Sequence, residues 1–535
     1  MPHSPTDADA RLPAQASESS ARPRLDFEHP LLPCLLLFVW VALSAWIRPL
    51  GMPDEGRYTG VAWEMVRSGQ WLTPTLDGLP YFHKPPMFYW LTAISMKLFG
   101  MSEIALRMAP MLGATLVAFA GYRLLRRWAG LGTARWYLVV LATMPYFYAG
   151  AQFANHDMLV AAFIGASIAF AADTLLSFDA GKPWKLSMLL AWSCMALGLL
   201  SKGLIGIVLP GGVVFFWILL QRRWHWFGRL LWWPGPLLFA LIAAPWFVLM
   251  QQKFPQFFHY FFIHQHFERF ADSGFNNQKP WWFYLKTLAV LCLPWTLALA
   301  GRLKLPPADG TRAALRQLQW LWLIVIVGFF SLPASKLIGY ALPAVPAIAM
   351  LAAEVIGERV QGRRWIPAAI AALTGVTLAA GIYVFGRDDP YSSKPLAAAW
   401  LQKAAPGEPL VSLKTYRFDL PVYARLPEPI PVVMDWSSPS IALTDSWPRE
   451  LADAARFDPP AGERVLIDIR QLPALLCAQP VTWIVTTVKE NDALLATAET
   501  VAAMPRYKLL RFDREQSTLS CRKASPQHSS ETGRD

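Results

Sequence analysis

The stretch LLPCLLLFVWVALSAWIRPLGMPDEGRYTG, residues 31–60, changes abruptly from apolar to charged. Its first part contains no charged residue and is nearly as long as a helix that crosses the hydrocarbon core of a bilayer. Arg48 ends this part, and Asp54 and Glu55 follow closely. Because charged side chains are costly near lipid, carboxylates at the end of an apolar run indicate a functional site at a membrane surface.

The composition of the whole chain predicts a polytopic α-helical membrane protein. Of its 535 residues, 54% are hydrophobic and only 16% are charged, and the chain contains 25 Trp and 31 Phe. These values lie outside the usual range of soluble domains. The apolar segments predict about eleven spans, or about 13 at most. They lie at residues 31–50, 103–125, 134–152, 158–178, 186–200, 203–220, 230–250, 281–300, 318–334, 337–356 and 365–385.

Basic residues predict the orientation of these spans, because Lys and Arg accumulate in short cytoplasmic loops. They are concentrated after the second, fourth, sixth, eighth and tenth segments. The N-terminus is therefore expected in the cytoplasm, whereas the loops 51–102 and 251–280 and everything after about residue 386 are expected on the outer face. The net charge of +12 follows mainly from this pattern, so we expect no nucleic-acid partner.

The membrane domain, residues 31–385, is flanked by regions of different composition. Residues 1–30 are rich in Ser, Ala, Pro and charge and predict a disordered cytoplasmic tail, with the first span as an uncleaved signal anchor. Short β-rich runs alternate with helical runs over residues 386–522, which predicts a small external α/β domain. Residues 523–535 are interpreted as a second disordered tail.

The cysteines and the cofactor motifs limit the possible chemistry. Cys477 and Cys521 fall in the external domain, where an oxidising compartment would permit a disulfide, but the sequence does not decide whether they are close enough. There is no metal-type cysteine spacing, no Walker loop and no Gly-rich dinucleotide fingerprint. No cofactor is therefore expected with certainty, and the energy for any reaction must come with the substrate.

The first external loop, residues 51–102, predicts two helices at the membrane surface. EGRYTGVAWEMVRSG has apolar residues at helical spacing, and PPMFYWLTAISMKLFG is a second, more apolar candidate. Between them, Pro85 and Pro86 hold His83 and Lys84 in an extended, exposed stretch. Two surface helices joined by a rigid basic elbow would form a floor at the membrane surface.

Two carboxylates, Asp54 and Asp157, are expected on the same outer side and at the same depth. Each has a structural alternative as a helix N-cap, but together they favour a functional site. The cations and phenols expected beside them are Lys84, Arg269, Lys202, Lys336, Tyr81 and Tyr340. For Lys202 and Lys336, the default interpretation is instead a side chain that snorkels to the interface. Cations and phenols suit a lipid-linked phosphate, and carboxylates suit a sugar or a positive charge developing at its anomeric carbon.

The loop 251–280 adds a weak metal-binding signal. His259, His264 and His266 lie close together, with Glu268 and Arg269 after them. Three histidines and a carboxylate could hold a divalent cation, although histidines in an aromatic loop are more often structural. The planar guanidinium of Arg269 suits a phosphate oxygen.

The run PDEGRYTGVAWEMVRSGQWLTPTLDGLPYFHKPPMFYWL resembles the first external loop of bacterial GT-C integral-membrane glycosyltransferases, which are related to protein O-mannosyltransferases. It is especially similar to the lipid A aminoarabinose transferases, whose loop runs Asp-Glu-x-Arg-Tyr, Trp-x-x-Pro and Tyr-Phe-x-Lys-Pro-Pro. NHD, LLSKG and SKLIGYALPAVPA match further family segments in the same order. The resemblance covers the membrane region. The chain departs from close relatives in ending its membrane part near residue 385, about two spans early.

The resemblance also implies roles for individual residues. Asp54 and Asp157 correspond to the paired acidic residues of the catalytic cavity. Independently of the resemblance, Glu55 is expected to support the surface helix, and Tyr58, Lys202 and Lys336 are further candidate supporting residues. The carrier phosphate would be bound by Lys84, Arg269 and Tyr340, with Tyr81 alongside. His264 resembles a loop ligand of a cation in such enzymes, but its usual Glu partner is replaced here by His83, which leaves a zinc-like His–His site as the expectation.

The expected function is inverting transfer of a sugar from undecaprenyl phosphate to a lipid A phosphate at the periplasmic face of a bacterial inner membrane. The resemblance favours an amino sugar such as 4-amino-4-deoxy-L-arabinose. The alternatives are transfer of glucosamine, mannose or another sugar to lipid A, a protein or a glycan hydroxyl, and, less favoured, a lipid-linked sugar transporter or a sensor. A transporter should carry charges near the bilayer midplane, which is nearly uncharged here. We expect a monomer surrounded by membrane lipids.

Overall fold

A computed structural model describes residues 30–268, 277–301, 308, 310–359, 364–387, 389–444, 446–519 and 521, with the backbone alone at 264–268 and 359. Helices joined by short turns make up its N-terminal part. They are α1 (Leu31–Ala42), α2 (Asp54–Ser68), α3 (Met87–Phe99), α4 (Glu103–Leu106), α5 (Met108–Trp128), α6 (Leu131–Thr143), α7 (Pro145–Ala151), α8 (His156–Asp179), α9 (Lys185–Lys202), α10 (Ile205–Gln221), α11 (His225–Leu230) and α12 (Pro234–Lys253).

The rest of the membrane region is also helical. It comprises a π-helical segment (His259–Glu268), α13 (Phe283–Leu291), α14 (Thr296–Gly301), α15 (Gly310–Ser331), a 3₁₀ segment (Ile338–Ala344), α16 (Val345–Arg359) and α17 (Trp365–Phe385). Each predicted span coincides with helix, but some are interrupted. Pro145 separates α6 from α7, because proline cannot donate a helical hydrogen bond, and Pro294 lies between α13 and α14.

Among the described residues, six helices are long and apolar enough to cross a membrane: Met108–Trp128, His156–Asp179, Pro234–Lys253, Gly310–Ser331, Ile338–Glu358 and Trp365–Phe385. This finding is consistent with a polytopic helical membrane protein, while the predicted number of spans stays a prediction. The helix α8 lies at the centre, since its most apolar stretch is entirely buried within the protein.

The first external loop contains both predicted surface helices, α2 and α3. Asp54 and Glu55 lie in the first turn of α2 and Arg67 in its last, which matches the helix dipole. The helix ends at Gly69, whose φ of 73° is favourable for glycine. The apolar face of α2 is buried, as its spacing predicts. A short hairpin of β1 (Thr75–Leu76) and β2 (Leu79–Pro80) connects α2 to the elbow before α3.

A six-stranded mixed sheet forms the core of the C-terminal part. Its strands are β3 (Leu410–Leu413), β4 (Val432–Met434), β5 (Leu466–Asp468), β6 (Val481–Thr487), β7 (Glu499–Ala503) and β8 (Tyr507–Asp513), in the order β5-β4-β3-β6-β8-β7. The first four strands are parallel, and β8 pairs antiparallel with β6 and β7. The helices are α18 (Lys394–Lys403), α19 (Leu420–Tyr423), α20 (Ser440–Leu443), α21 (Trp447–Ala455), α22 (Pro459–Val465) and α23 (Leu472–Ala478).

This C-terminal unit packs directly on the first external loop. A Cβ at Gly56 of α2 would lie 2.8 Å from the backbone nitrogen of Asp419, so this close approach requires glycine. The Asp77 carboxylate accepts a hydrogen bond from the backbone N–H of Ile430 at 2.8 Å. Burial raises the pKa of Asp77 well above its usual value. The α/β unit therefore forms one wall above the membrane helices.

The structure decides whether Cys477 and Cys521 are close enough to pair. Cys477 and Cys521 form a disulfide with a Cα–Cα distance of 5.5 Å and a sequence separation of 44 residues. The bond attaches the end of the described chain to α23.

Candidate active site

Glu55 is the structural centre of the first external loop, and its side chain has no exposure to solvent. Arg107 donates to its two carboxylate oxygens at 2.8 and 2.9 Å, and Arg48 donates at 2.5 Å. The backbone N–H groups of Gly51 and Ala154 donate at 2.6 and 2.8 Å. Burial alone would raise the pKa of Glu55, but the two arginines lower it to about 2. Glu55 thus joins the start of α2 to the segments before α5 and α8.

Asp54, the preceding residue, points elsewhere and is 35% exposed. It forms an ion pair with Arg57, whose other terminal nitrogen pairs with Glu450 of α21. The Arg57 guanidinium also lies over the rings of Tyr58 and Phe418, at 5.1 and 5.4 Å. Burial would lower the pKa of Arg57, but the negative groups around it raise the pKa well above its usual value. Arg57 is therefore a cation shared between the membrane-proximal loop and the C-terminal unit.

Asp157 forms a second cluster at the start of α8. Its carboxylate pairs with Lys202 at the end of α9, and the Lys202 ammonium lies 4.4 Å from the ring centroid of Tyr340. Asn155, and not Asp157, is the N-cap: its side-chain oxygen accepts from the backbone N–H of Asp157 at 2.9 Å. A Cβ at Gly339 would lie 1.9 Å from Oδ2 of Asp157, so the carboxylate packs against bare backbone. The alternative roles of Asp157 as an N-cap and of Lys202 as a snorkelling side chain are wrong.

Tyr58 and His156 lie between these two clusters. Their ring centroids are 4.6 Å apart, and Nδ1 of His156 is 2.8 Å from the carbonyl oxygen of Ser201. Burial raises the pKa of Tyr58, and the charges of Asp54 and Asp157 contribute in the same direction. Because Arg57 pairs with Asp54 and lies over Tyr58, while His156 is the chain neighbour of Asp157, the two carboxylates flank the contact between Tyr58 and His156.

The basic elbow borders the same region. Tyr81 is fully buried, and the ring of His83 stacks on it at 4.7 Å. The His83 ring is also 6.0 Å from that of Tyr260 in the π-helical segment. Lys84 donates a hydrogen bond to the His83 carbonyl at 2.8 Å, and its charge acts on His156. The elbow thus faces both the start of α8 and the loop after α12.

Other predicted residues are not part of these contacts. The ammonium of Lys336 donates to the carbonyls of Pro333 and Lys279, the latter at 3.1 Å, and the side chain is nearly buried, so it does not snorkel to the interface. These bonds join it to the segment at residues 277–280. Arg269 and the side chain of His264 lie outside the described residues, and their roles stay predictions.

The described part of the chain offers no cluster for the expected cation. Where side chains are described, no group of three or more His, Cys, Asp or Glu could hold a metal ion. The His83 ring packs against Tyr81 and Tyr260, which are not typical zinc ligands. The side chain of His264, the expected partner ligand, lies outside the described side chains, so the His–His site stays a prediction, and the chemistry proposed below uses no metal.

Arg57, Glu450 and His156 are central to the site, but the sequence did not single them out. Arg57 falls in the predicted helical run EGRYTGVAWEMVRSG, three residues after Asp54, and this spacing was the available signal. His156 is adjacent to Asp157, yet its contact with Tyr58 depends on tertiary packing. Glu450 lies 393 residues after Arg57 in the sequence, and no local pattern connects them.

Comparisons with known proteins agree with this architecture. The family model described as dolichyl-phosphate-mannose-protein mannosyltransferase matches residues 35–261. An undecaprenyl phosphate-α-4-amino-4-deoxy-L-arabinose arabinosyl transferase from Erwinia tasmaniensis is 33% identical over 331 residues, covering 61% of this chain and 59% of the relative. One from Pseudomonas savastanoi pv. phaseolicola is 31% identical over 378 residues, covering 66% of this chain and 68% of the relative. The match thus spans about three fifths of the first of these relatives.

The fold is similar to that of a solved relative over nearly its whole length. The crystal structure of ArnT from Cupriavidus metallidurans bound to undecaprenyl phosphate has a TM-score of 0.74 and 26% sequence identity, with 90% of this chain and 97% of that chain covered. Its apo structure gives a TM-score of 0.73. The chain belongs to the GT-C glycosyltransferase family of the undecaprenyl phosphate-α-4-amino-4-deoxy-L-arabinose arabinosyl transferases.

Proposed function

We propose that the protein transfers an amino sugar of the 4-amino-4-deoxy-L-arabinose type from undecaprenyl phosphate to a phosphate of lipid A. The observation that carries this proposal is that two carboxylate–cation pairs, Asp54–Arg57 at the start of α2 and Asp157–Lys202 between α8 and α9, flank the contact of Tyr58 with His156. The names of the relatives supply the sugar and its carrier.

The donor phosphate would bind to the cations and phenols at the edge of the site. Lys84 on the elbow and Tyr340 beside Lys202 supply a cation and a phenol, and the resemblance adds Arg269. These groups stabilise the charge that develops on the carrier phosphate as it leaves. Such preorganised electrostatic stabilisation is usually the largest catalytic contribution.

The reaction is a displacement with inversion at the anomeric carbon. An acceptor phosphate oxygen forms the new bond from the face opposite the carrier, and the bond to the carrier oxygen breaks with its electron pair. Because the acceptor is already an anion, no general base is needed. Asp54 and Asp157 then stabilise the positive charge at the anomeric carbon or bind the sugar's amino group.

An open groove beside the site offers an entrance for the acceptor. It has a volume of about 560 Å³ and lies between residues 256–260 and helices α20 and α21. Its charged lining includes Arg449 and Arg456, which are 3.7 and 3.4 Å from the shared Asp453, so these three side chains carry one net positive charge. Trp436 and Phe457 supply apolar surface. A positive charge next to apolar surface suits a phosphorylated glycolipid.

The reaction would take place on the periplasmic side of the bacterial inner membrane, with the C-terminal unit on that side. The distribution of Lys and Arg along the chain supports this orientation. The Cys477–Cys521 disulfide supports it independently, because disulfides persist in oxidising compartments.

Mass spectrometry of lipid A tests the proposal. A Gram-negative host without its own lipid A sugar transferase, but with the donor pathway, would express the wild type, Asp54→Asn or Glu463→Gln. Glu463 is an exposed carboxylate on α22 and serves as the matched control. We expect a phosphate-linked pentosamine with the wild type and the control, and a strong decrease with Asp54→Asn at equal protein levels in the membrane.

Two results would contradict parts of this proposal. If the Asp54→Asn variant modified lipid A to the same extent as the wild type, the Asp54 carboxylate would not be needed for sugar transfer. Unmodified lipid A despite folded protein and confirmed donor would favour a hydroxyl acceptor on a protein or glycan. The family model that matches residues 35–261 is described as a protein mannosyltransferase. Asp54 would then be the natural general base.

A further inference from the structure

Glu450 brings a charge from the C-terminal unit into the catalytic region. It pairs with one terminal nitrogen of Arg57, while the other pairs with Asp54. Two carboxylates thus share one guanidinium, and the trio keeps one excess negative charge. If Arg57 paired with Asp54 alone, that charge would be neutralised. Glu450 therefore determines the net charge that Asp54 presents to a ligand.

Polar atoms without hydrogen-bond partners lie within this trio and beside it. Within the described part of the chain, no hydrogen-bond partner is present for Oε2 of Glu450, Nε of Arg57, the hydroxyl of Tyr89 or Nε2 of His156. Glu450 is 9% exposed, and Tyr89 and His156 are at most 1% exposed. Buried polar atoms without partners are uncommon and costly, so their concentration here indicates a place where a polar ligand binds.

These atoms belong to one neighbourhood. The Tyr89 and His156 ring centroids are 5.1 Å apart, and both rings contact Tyr58. Burial raises the pKa of Tyr89 well above its usual value, and the charge of Glu450 contributes to this shift. The hydroxyl of Tyr89 is therefore within electrostatic reach of the carboxylate on α21.

We propose that Glu450 is a specificity-determining residue for the donor sugar. By sharing Arg57 with Asp54, it keeps one excess negative charge in the site. This charge selects a donor sugar with a protonated amino group over one with a hydroxyl. This inference rests on the proposed function and adds a residue from the C-terminal unit to it. A fixed negative charge in a partly dry site attracts an ammonium group strongly, while a neutral hydroxyl gains much less. Discrimination is thus built into the interface between the two parts of the chain.

A competition assay tests this role directly. Full-length protein in nanodiscs would receive lipid A and an equimolar mixture of two undecaprenyl-phosphate donors, one with the amino sugar and one with a hydroxyl in place of the amino group. The product ratio reports relative kcat/KM and does not depend on the fraction of active protein. The variants are Glu450→Gln, Glu450→Asp and the exposed control Glu463→Gln.

We expect Glu450→Gln to lower the preference for the amino sugar by roughly 10-fold to 100-fold, which is the range for losing one charged contact. Glu450→Asp should retain most of the preference, and the control should match the wild type. An unchanged ratio in Glu450→Gln would overturn the inference. If that variant forms no product, a lost preference in Glu450→Asp would overturn it instead. A wild type that uses neither donor would refute the proposed function itself.

Discussion

Replacing Glu55 with Gln is expected to destabilise the protein by about 3 kcal/mol. The pKa of Glu55 is lowered from 4.5 to about 2 by Arg107 and Arg48, which outweigh its burial. Each pKa unit corresponds to about 1.4 kcal/mol, which gives roughly this value for the free energy that the charged form contributes to folding. Removing one partner of a buried ion pair costs about 3–5 kcal/mol in general, which agrees in magnitude.

The same shift predicts a pH dependence. Because the folded-state pKa of Glu55 lies below its value in the unfolded chain, the stabilisation is fully present above pH 4.5. It is lost as the pH falls from 4.5 towards 2. In this window the wild type should lose more stability than Glu55→Gln, since the amide does not titrate.

Unfolding of purified protein in mixed micelles, followed by tryptophan fluorescence during titration with SDS, would measure both effects. Glu463→Gln, which alters an exposed carboxylate, should change the free energy of unfolding by no more than about 0.5 kcal/mol. A decrease in the free energy of unfolding below about 1 kcal/mol for Glu55→Gln, or identical pH profiles for variant and wild type, would refute the interpretation that the buried, charged side chain of Glu55 stabilises the fold.

Two further predictions concern the carboxylate of Asp157 and the C-terminal unit. Gly339→Ala places a Cβ against Asp157 and should lower the sugar transfer rate roughly 100-fold in the lipid A assay. The control Gly328→Ala, where a Cβ meets nothing within 4 Å, should leave the rate unchanged. Equal rates in the two variants would exclude the contact between Gly339 and Asp157. Cys477→Ser should cost about 4 kcal/mol of stability, because its disulfide with Cys521 spans 44 residues. Reductant should lower the wild type to the same level without affecting the variant, and a wild type insensitive to reductant would contradict this.

The distribution of apolar residues along the sequence was sufficient to locate most helices of the membrane region. The predicted spans coincide with helices because a membrane helix carries apolar side chains on the faces towards lipid and towards the protein, and such a long apolar run is a local signal. The helical conformation of α2 was equally predictable, since its apolar spacing, its acidic first turn and Gly69 at its end all lie within the stretch itself. The interruptions near Pro145 and Pro294 shortened the spans where proline removes a backbone donor.

Contacts between segments that are far apart in the chain could not be predicted from the sequence. Glu55 was assigned to support one helix, but its partner Arg107 lies 52 residues later, and its bonds together connect α2 to three separate segments. Lys202 was interpreted as a snorkelling lysine because nothing near it in the chain shows the carboxylate of Asp157. Such pairings are decided by which helices pack together.

The sequence by itself determined a helical membrane protein with carboxylates and cations at one surface, because hydropathy, charge asymmetry and the first-loop motif are local properties of the chain. Only the tertiary structure decided that Asp54 shares Arg57 with Glu450, and that Asp157 packs against Gly339 and pairs with Lys202. Coulomb interactions depend on distance in space, and in a chain of 535 residues that distance is set by packing and not by sequence separation.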